Sequence, residues 1–180
     1  PHEGHFSSSR LGLRRSHWPM IKLAMVYPSL TKETRGEELL YSPLAMGYLA
    51  RHTPDHYQIT LCDEYVGEDL ETGTLQADLV AFSAITPGIT RSYALADKLR
   101  KRGITCVGGG AHASALPEEA LQHYDAVIIG EGETPWKEFL RDFERGHFQK
   151  TYFGPMNVSL EHLGTPRRDL IHPRYDYPSV

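Results

Sequence analysis

Residues 104–136, "ITCVGGGAHASALPEEALQHYDAVIIGEGETPW", decide the fold. An apolar run at 104–109 breaks on three consecutive glycines, and a second apolar run at 125–130 breaks on "GEGE". Between them, "PEEALQHY" begins with proline and two acids. That is the order of a helix's first turn, where the proline needs no N–H and negative charge favours the helix dipole. Strand, helix and strand within about 30 residues form one crossover of a parallel sheet. The glycines have two readings. They end a strand in a sharp turn, or they let a large flat ligand lie directly on the backbone.

The same alternation extends upstream. Runs at 21–28, 57–63 and 78–83 complete a set of five strands with 104–109 and 125–130. The last three are nearly continuous apolar runs, as expected of strands covered by helices on both faces. "SPLAMGYLARH" starts a helix with Ser42 as cap and Pro43 at the first helical position. "GITRSYALADKLRKRG" sets Ile89, Tyr93, Ala96 and Leu99 on one stripe and ends on three bases and a glycine. In "TPWKEFLRDFERG", with Thr134 and Pro135 opening the helix, Trp136, Phe139, Leu140 and Phe143 form an apolar stripe that reads as core. Residues 64–76 hold at most one helical turn.

The fold class that follows is α/β, a flavodoxin-like (Rossmann-like) five-stranded parallel sheet with helices on both faces and strand order 2-1-3-4-5. Ligands of such sheets bind beyond the carboxyl ends of the strands, near the switch between the first and third strands. The loops of interest are 28–42, 83–88, 108–116 and 130–134. Residues 1–19 read as a disordered leader or appended sequence, with Met20 as the natural start. Residues 20–146 form the domain. Residues 147–180 read as a linker, although "KTYFG" has the composition of a further short strand.

Composition narrows the function. The 180 residues are 40% apolar with a formal charge of −4, and no run of bases alternates with aromatics, so nucleic acid is not an expected partner. No apolar stretch approaches the ~18 residues of a membrane span. Cys62 and Cys106 each sit in an apolar run and read as buried thiols. A cytoplasmic protein is expected.

The edge loops carry polar groups but no catalytic apparatus. Ser83 and Thr86 in "SAITPGIT" offer hydroxyls to a heterocycle or phosphate, or they cap the next helix. Gly108, Gly109 and Gly110 precede His112, a residue that orders the loop or touches a ligand. Gly130, Glu131, Gly132 and Glu133 form a turn able to accept hydrogen bonds from ligand amides. GxGxxG after the first strand, a phosphate loop, GxSxG and metal-ligand spacings are all missing. The first strand also ends without the acidic cluster that phosphotransfer needs.

Together, "YSPLAMGYLARH", "ADLVAFSAITPGITRSYALADKLRKRG", "VGGGAHASALPEEAL" and "DAVIIGEGETPWKEFL" resemble the N-terminal cobalamin-binding domain of cobalamin-dependent radical SAM enzymes. The resemblance spans residues 20–146, and "GTPRRDL" resembles the connector to the barrel. It implies a module that binds base-off cobalamin within a methyltransferase or cyclase. That parent would also use S-adenosylmethionine and an iron-sulfur [4Fe–4S] cluster, through a CxxxCxxC motif that these residues lack. It implies as partner a C-terminal radical SAM domain absent from these residues, and it implies that this fragment is inactive alone.

Relatives that hold cobalt through histidine carry D-x-H-x-x-G, then S-x-L, then G-G. Here Ser83-Ala84-Ile85 and Gly109-Gly110 stand for the second and third elements, and the histidine element is missing. By resemblance the cofactor site comprises Tyr41, Ser42 and Leu44 under the corrin, with Ser83, Thr86, Gly108, Gly109, Gly110, His112, Gly130, Glu131 and Gly132 around a slot for the nucleotide tail. No residue is assigned to the metal. Two other readings remain open: a scaffold or interaction domain of the same fold without ligand, and a flavin- or nucleotide-binding relative.

Overall fold

The computed structural model describes residues 20–29, 42–155 and 163–175. Six strands run parallel in one sheet: β1 (Ile21–Tyr27), β2 (Tyr57–Asp63), β3 (Leu79–Ser83), β4 (Thr105–Gly109), β5 (Ala126–Ile129) and β6 (Thr151–Phe153). Their order is β2-β1-β3-β4-β5-β6. The five expected strands take the expected order, and the short run in "KTYFG" joins as the outer strand beside β5.

Helices α1 (Leu44–Arg51) and α5 (Glu133–Glu144) cover one face, and α2 (Ile89–Arg100) and α4 (Pro117–His123) cover the other. A short α3 (Ala111–Ala115) follows β4 directly. Because strand side chains alternate, each strand feeds two cores. Leu23, Met25, Leu79, Ala81, Val107 and Ile128 pack with Met46, Trp136, Phe139 and Leu140. On the opposite face, Val26, Val80, Phe82, Cys106 and Val127 pack with Leu95, Leu99 and Tyr124. Both cysteines are free thiols pushed up to about 12 by burial.

Two expected helix caps are absent. Pro43, not Ser42, occupies the cap of α1, and Ser42 makes no capping bond. Gly88 precedes α2, with Thr86 in a 3₁₀ turn, so neither Ser83 nor Thr86 caps that helix. The chain tightens there for a packing reason: a Cβ on Gly88 would sit 2.7 Å from the carbonyl oxygen of Pro28.

The buried Glu64 carboxylate accepts from Arg91 Nη2 at 2.6 Å and Nε at 3.0 Å, and from the Ser29 N–H at 3.4 Å. Ser29 follows β1, Glu64 follows β2 and Arg91 lies on α2 after β3, so this network joins the carboxyl ends of three strands. Residues 163–175 lie across α1 and the end of β2: the Arg167 N–H donates to Gly47 O at 3.0 Å, and the Tyr175 hydroxyl donates to Asp63 Oδ2 at 2.6 Å.

Gly108 points toward the α2/α4 face, where a Cβ would lie 2.1 Å from the Tyr124 ring. Gly108→Ala should therefore lower stability by about 1–3 kcal/mol through overpacking. Gly109→Ala, whose Cβ meets nothing closer than 3.6 Å, should stay within about 0.5–1 kcal/mol of the parent. Urea denaturation of both variants measures the difference.

Burial raises the Asp63 carboxyl above its ordinary value, against the two hydrogen bonds it receives from Tyr175 and Tyr65. The folded state thus holds this proton more tightly than the unfolded one, and Asp63 costs stability as pH rises through its folded value. Asp63→Asn removes that dependence. Its urea midpoint relative to the parent should climb from acidic pH toward neutrality, and a pH-independent difference would contradict the assignment.

Candidate functional site

A cavity of about 340 Å³ opens at the carboxyl ends of β3, β4 and β5, between the sheet and the α1/α5 layer. Ala81, Val107 and Ile128 form its sheet side, and Ala45, Leu49 and Trp136 its helical side. Ser83, Gly108, Gly109, Gly110, Ser114 and the turn Gly130, Glu131, Gly132, Glu133 surround the mouth and upper wall. Such a volume is at the lower end of small-molecule sites, ~300–1,000 Å³.

The glycines divide the work by strand period. Gly108 gives its missing side chain to Tyr124, while Gly109 faces the cavity with only Ile128 near its open position. Gly110 adopts φ 95° and turns the chain into α3 with its α-carbon against Ala84, a conformation and a space that no other residue fits. From α3, the Ser114 Oγ accepts the Gly130 N–H at 3.0 Å and ties the two glycine turns together. That bond leaves the Ser114 hydroxyl proton to be donated elsewhere. The Ser83 hydroxyl makes no hydrogen bond among the described residues and stands at the mouth.

The inner end is rigid. Trp136 is fully buried, and its indole Nε1 donates to Thr53 Oγ1 at 2.9 Å, while that hydroxyl donates to Leu49 O at 2.7 Å. Glu133 lies one turn before Trp136 on α5. Its Oε2 is buried and has no hydrogen-bond partner.

Seven of the expected residues therefore line one cavity: Ser83, Gly108, Gly109, Gly110, Gly130, Glu131 and Gly132. Thr86 and His112 do not. The His112 ring lies between Thr86 Oγ1 at 3.3 Å and Glu119 Oε1 at 3.2 Å, edge-on to Tyr93 on the opposite side of β4. The contacts of His112 and Tyr93 hold the Glu119 carboxyl below its usual range. Ser42 and Leu44 sit just ahead of the helical wall, which Ala45 and Leu49 supply instead. Tyr41 lies outside the described residues. Sequence reasoning missed Ala45, Leu49, Ser114 and Trp136 as lining. The spacing of Ala45 and Leu49 at i and i+4 on α1 was the available signal.

The cavity lies at the ends of β3–β5, and no residue of β1 lines it among the described residues. Among the described residues no cluster of histidine, cysteine and acids is arranged to hold a metal. No described helix is long and apolar enough to cross a membrane.

A parallel sheet with helices on both faces and a glycine-walled slot at its carboxyl edge is the class of domain that the geometry defines. Residues 38–140, more than half of the chain, match the B12 binding domain family, and the chain belongs to that family. It is 36% identical over 109 residues to bacteriochlorophyllide d C-8(2)-methyltransferase of Chlorobaculum tepidum, covering 61% of this chain and 24% of that one. It is 29% identical over 110 residues to the C-12(1)-methyltransferase of the same organism, again 61% and 24%. The chain thus spans about a quarter of these curated relatives. Its fold is similar to that of TsrM, a radical S-adenosylmethionine methyltransferase from Kitasatospora setae, with a TM-score of 0.57 at 15% identity. That match covers 71% of this chain and 26% of that one.

Ser114→Ala leaves the Gly130 N–H without its acceptor and should cost about 1–2 kcal/mol. Ser83→Ala breaks no bond and should remain within about 0.5 kcal/mol of the parent. Urea midpoints compare the two.

Proposed function

We propose that this chain binds cobalamin in the slot under β3–β5 and serves as the cobalamin module of a larger radical SAM enzyme. One observation carries the reading: the Gly109 position opens directly into a cavity whose walls are otherwise apolar side chains, backbone, two serines and two acids. The residues present fit the group. A slot of about 340 Å³ takes a heterocycle with its sugar but not a macrocycle, so the nucleotide tail enters and the corrin rests on the loops outside. On this reading cobalamin binds base-off, and among the described residues no histidine lines the slot.

Bound cobalamin supplies methyl or electron transfer at its cobalt. The chain's own residues do the positioning. Gly109 admits the tail, Leu49 and Trp136 wall it from water, and Ser83 and Ser114 offer hydroxyls at the mouth. His112 and Thr86 order the α3–α4 loop behind the site through their mutual contact.

The relatives named above are methyltransferases, which supports a methyltransferase or cyclase parent using S-adenosylmethionine and a [4Fe–4S] cluster held by sequence beyond these residues. On this reading the chain alone has no turnover, and residues 147–180 lead toward the radical SAM domain. The unpaired cysteines suit a reducing cytoplasm. The flavin or nucleotide reading has less support, because the family that residues 38–140 match is the B12 binding domain.

The chain mixed with hydroxocobalamin and passed over a desalting column should co-elute with the visible spectrum of the corrinoid. Gly109→Leu should elute colourless while its far-UV circular dichroism stays unchanged. A colourless parent overturns the reading. Equal retention by Gly109→Leu overturns the placement of the tail.

A further inference from the structure

We propose that residues 163–175 are a strap of the binding domain, placed by Gly47 and Tyr175 so that it holds α1, the helical wall of the slot, in position for the ligand. The inference rests on the cobalamin reading above. α1 supplies Ala45 and Leu49 to the slot, yet it is a weak helix by itself. It has eight residues, no side-chain cap and Gly47 in its interior. An isolated helix of that length is marginal in water, and an interior glycine weakens it further. Packing therefore has to hold it.

The helical period sets three sides of α1 apart. Met46 and Ala50 enter the core, Ala45 and Leu49 lie on the flank toward the slot, and Gly47 and Arg51 lie on the opposite flank. The strap fills that opposite flank. A Cβ on Gly47 would stand 3.2 Å from Pro166 Cβ and 3.4 Å from Ile171 Cδ1, so the glycine is what lets the strap come this close. The Arg167 N–H donates to Gly47 O at 3.0 Å, Ile171 is buried, and Leu170 packs against the core that holds Met46 and Trp136. The far end is anchored at the carboxyl end of β2, where the Tyr175 hydroxyl donates to Asp63 Oδ2 at 2.6 Å. α1 can widen the slot only by moving into the space that the strap occupies. Gly47 and Tyr175 are thus positioning residues, acting on the ligand through α1.

Coupling of this kind is reciprocal: a strap that favours the ligand is itself favoured by the ligand. The test measures both directions in the full chain, by absorbance titration with hydroxocobalamin and by amide hydrogen exchange of residues 163–175 with and without it. In the parent, hydroxocobalamin should slow exchange of the strap about fivefold or more. Tyr175→Phe removes one hydrogen bond and should speed strap exchange without ligand roughly threefold to tenfold. Gly47→Gln drives a side chain into Pro166 and Ile171 while raising the helix propensity of α1. It should keep the far-UV circular dichroism of the parent, lose the protection of the strap, and bind hydroxocobalamin about tenfold more weakly. A weaker helix cannot be the cause of that loss.

A parent that does not bind hydroxocobalamin overturns the proposed function, and this inference with it. A parent that binds while its strap exchanges at the same rate with and without ligand overturns this inference alone, and that comparison needs no variant. Parent-like affinity in Gly47→Gln, with the strap unprotected, also overturns it alone, since the slot would then keep its shape without the strap.

Discussion

The indole of Trp136 joins the two helices that roof the sheet, and the slot depends on that junction. Its N–H reaches across to Thr53, whose hydroxyl is held by the Leu49 carbonyl, so α5 and the last turn of α1 are fixed to each other. On its other side Trp136 stacks at 5.7 Å on Phe139, which contacts Phe148 and Tyr152 and thereby ties α5 to β6. One end of the α1/α5 seam is thus closed by buried aromatics, each worth roughly 1.5–3 kcal/mol of apolar burial. The other end, above Trp136, stays open because glycines and short side chains face it. The rigidity of the closed end is what lets the open end persist as a cavity instead of collapsing.

The two faces of the sheet differ in how their polar groups are satisfied. Around α2 and α4, polar side chains find partners within the chain. Ser92 shares a hydrogen bond with Tyr124 at 2.6 Å, Arg100 donates to Asp125 at 2.9 Å, and His123 meets Asp97 at 3.0 Å under a stacked Tyr93. Around the slot the same accounting leaves Ser83 and one oxygen of Glu133 unused. The unused capacity is not confined to the slot, since Ser42 and His52 at either end of α1 also keep a buried polar atom without a partner.

Much of this was legible in the sequence, for stated reasons. The strands were, because a sheet buried on both faces forces continuous apolar runs such as "DLVAFS" and "DAVIIG". The strand order followed from five strands with right-handed crossovers. The mouth of the slot was legible too, since it is made of strand-end loops whose glycines cluster at 108–110 and 130–132. Its walls were not. Leu49 and Trp136 have the spacing of core residues, and they are core residues that also face the cavity. His112 lies off the cavity for a local reason: α3 starts just after Gly110 and turns the imidazole toward Thr86 and Glu119, and no glycine pattern announces which way a five-residue helix turns. The α1 cap misled because Pro43 itself takes the cap position, leaving the Ser42 hydroxyl buried.

The three glycines at 108–110 show why composition alone leaves a glycine cluster ambiguous between turn and shelf. Along β4 the side-chain direction reverses at each residue, so neighbours cannot share a role. Gly108 yields its volume to the Tyr124 ring, which in turn stacks at 5.6 Å on Phe82 of the adjacent strand. Gly109 yields its volume to the slot. Gly110 is required by its backbone angle, and by the Ala84 carbonyl oxygen 2.9 Å from where a Cβ would stand. Turn, core packing and ligand access are therefore three separate constraints on three consecutive positions. Tyr124 couples the first to the second: by holding the end of β4 flat from below, it keeps the Gly109 backbone aligned with the wall that a ligand would meet.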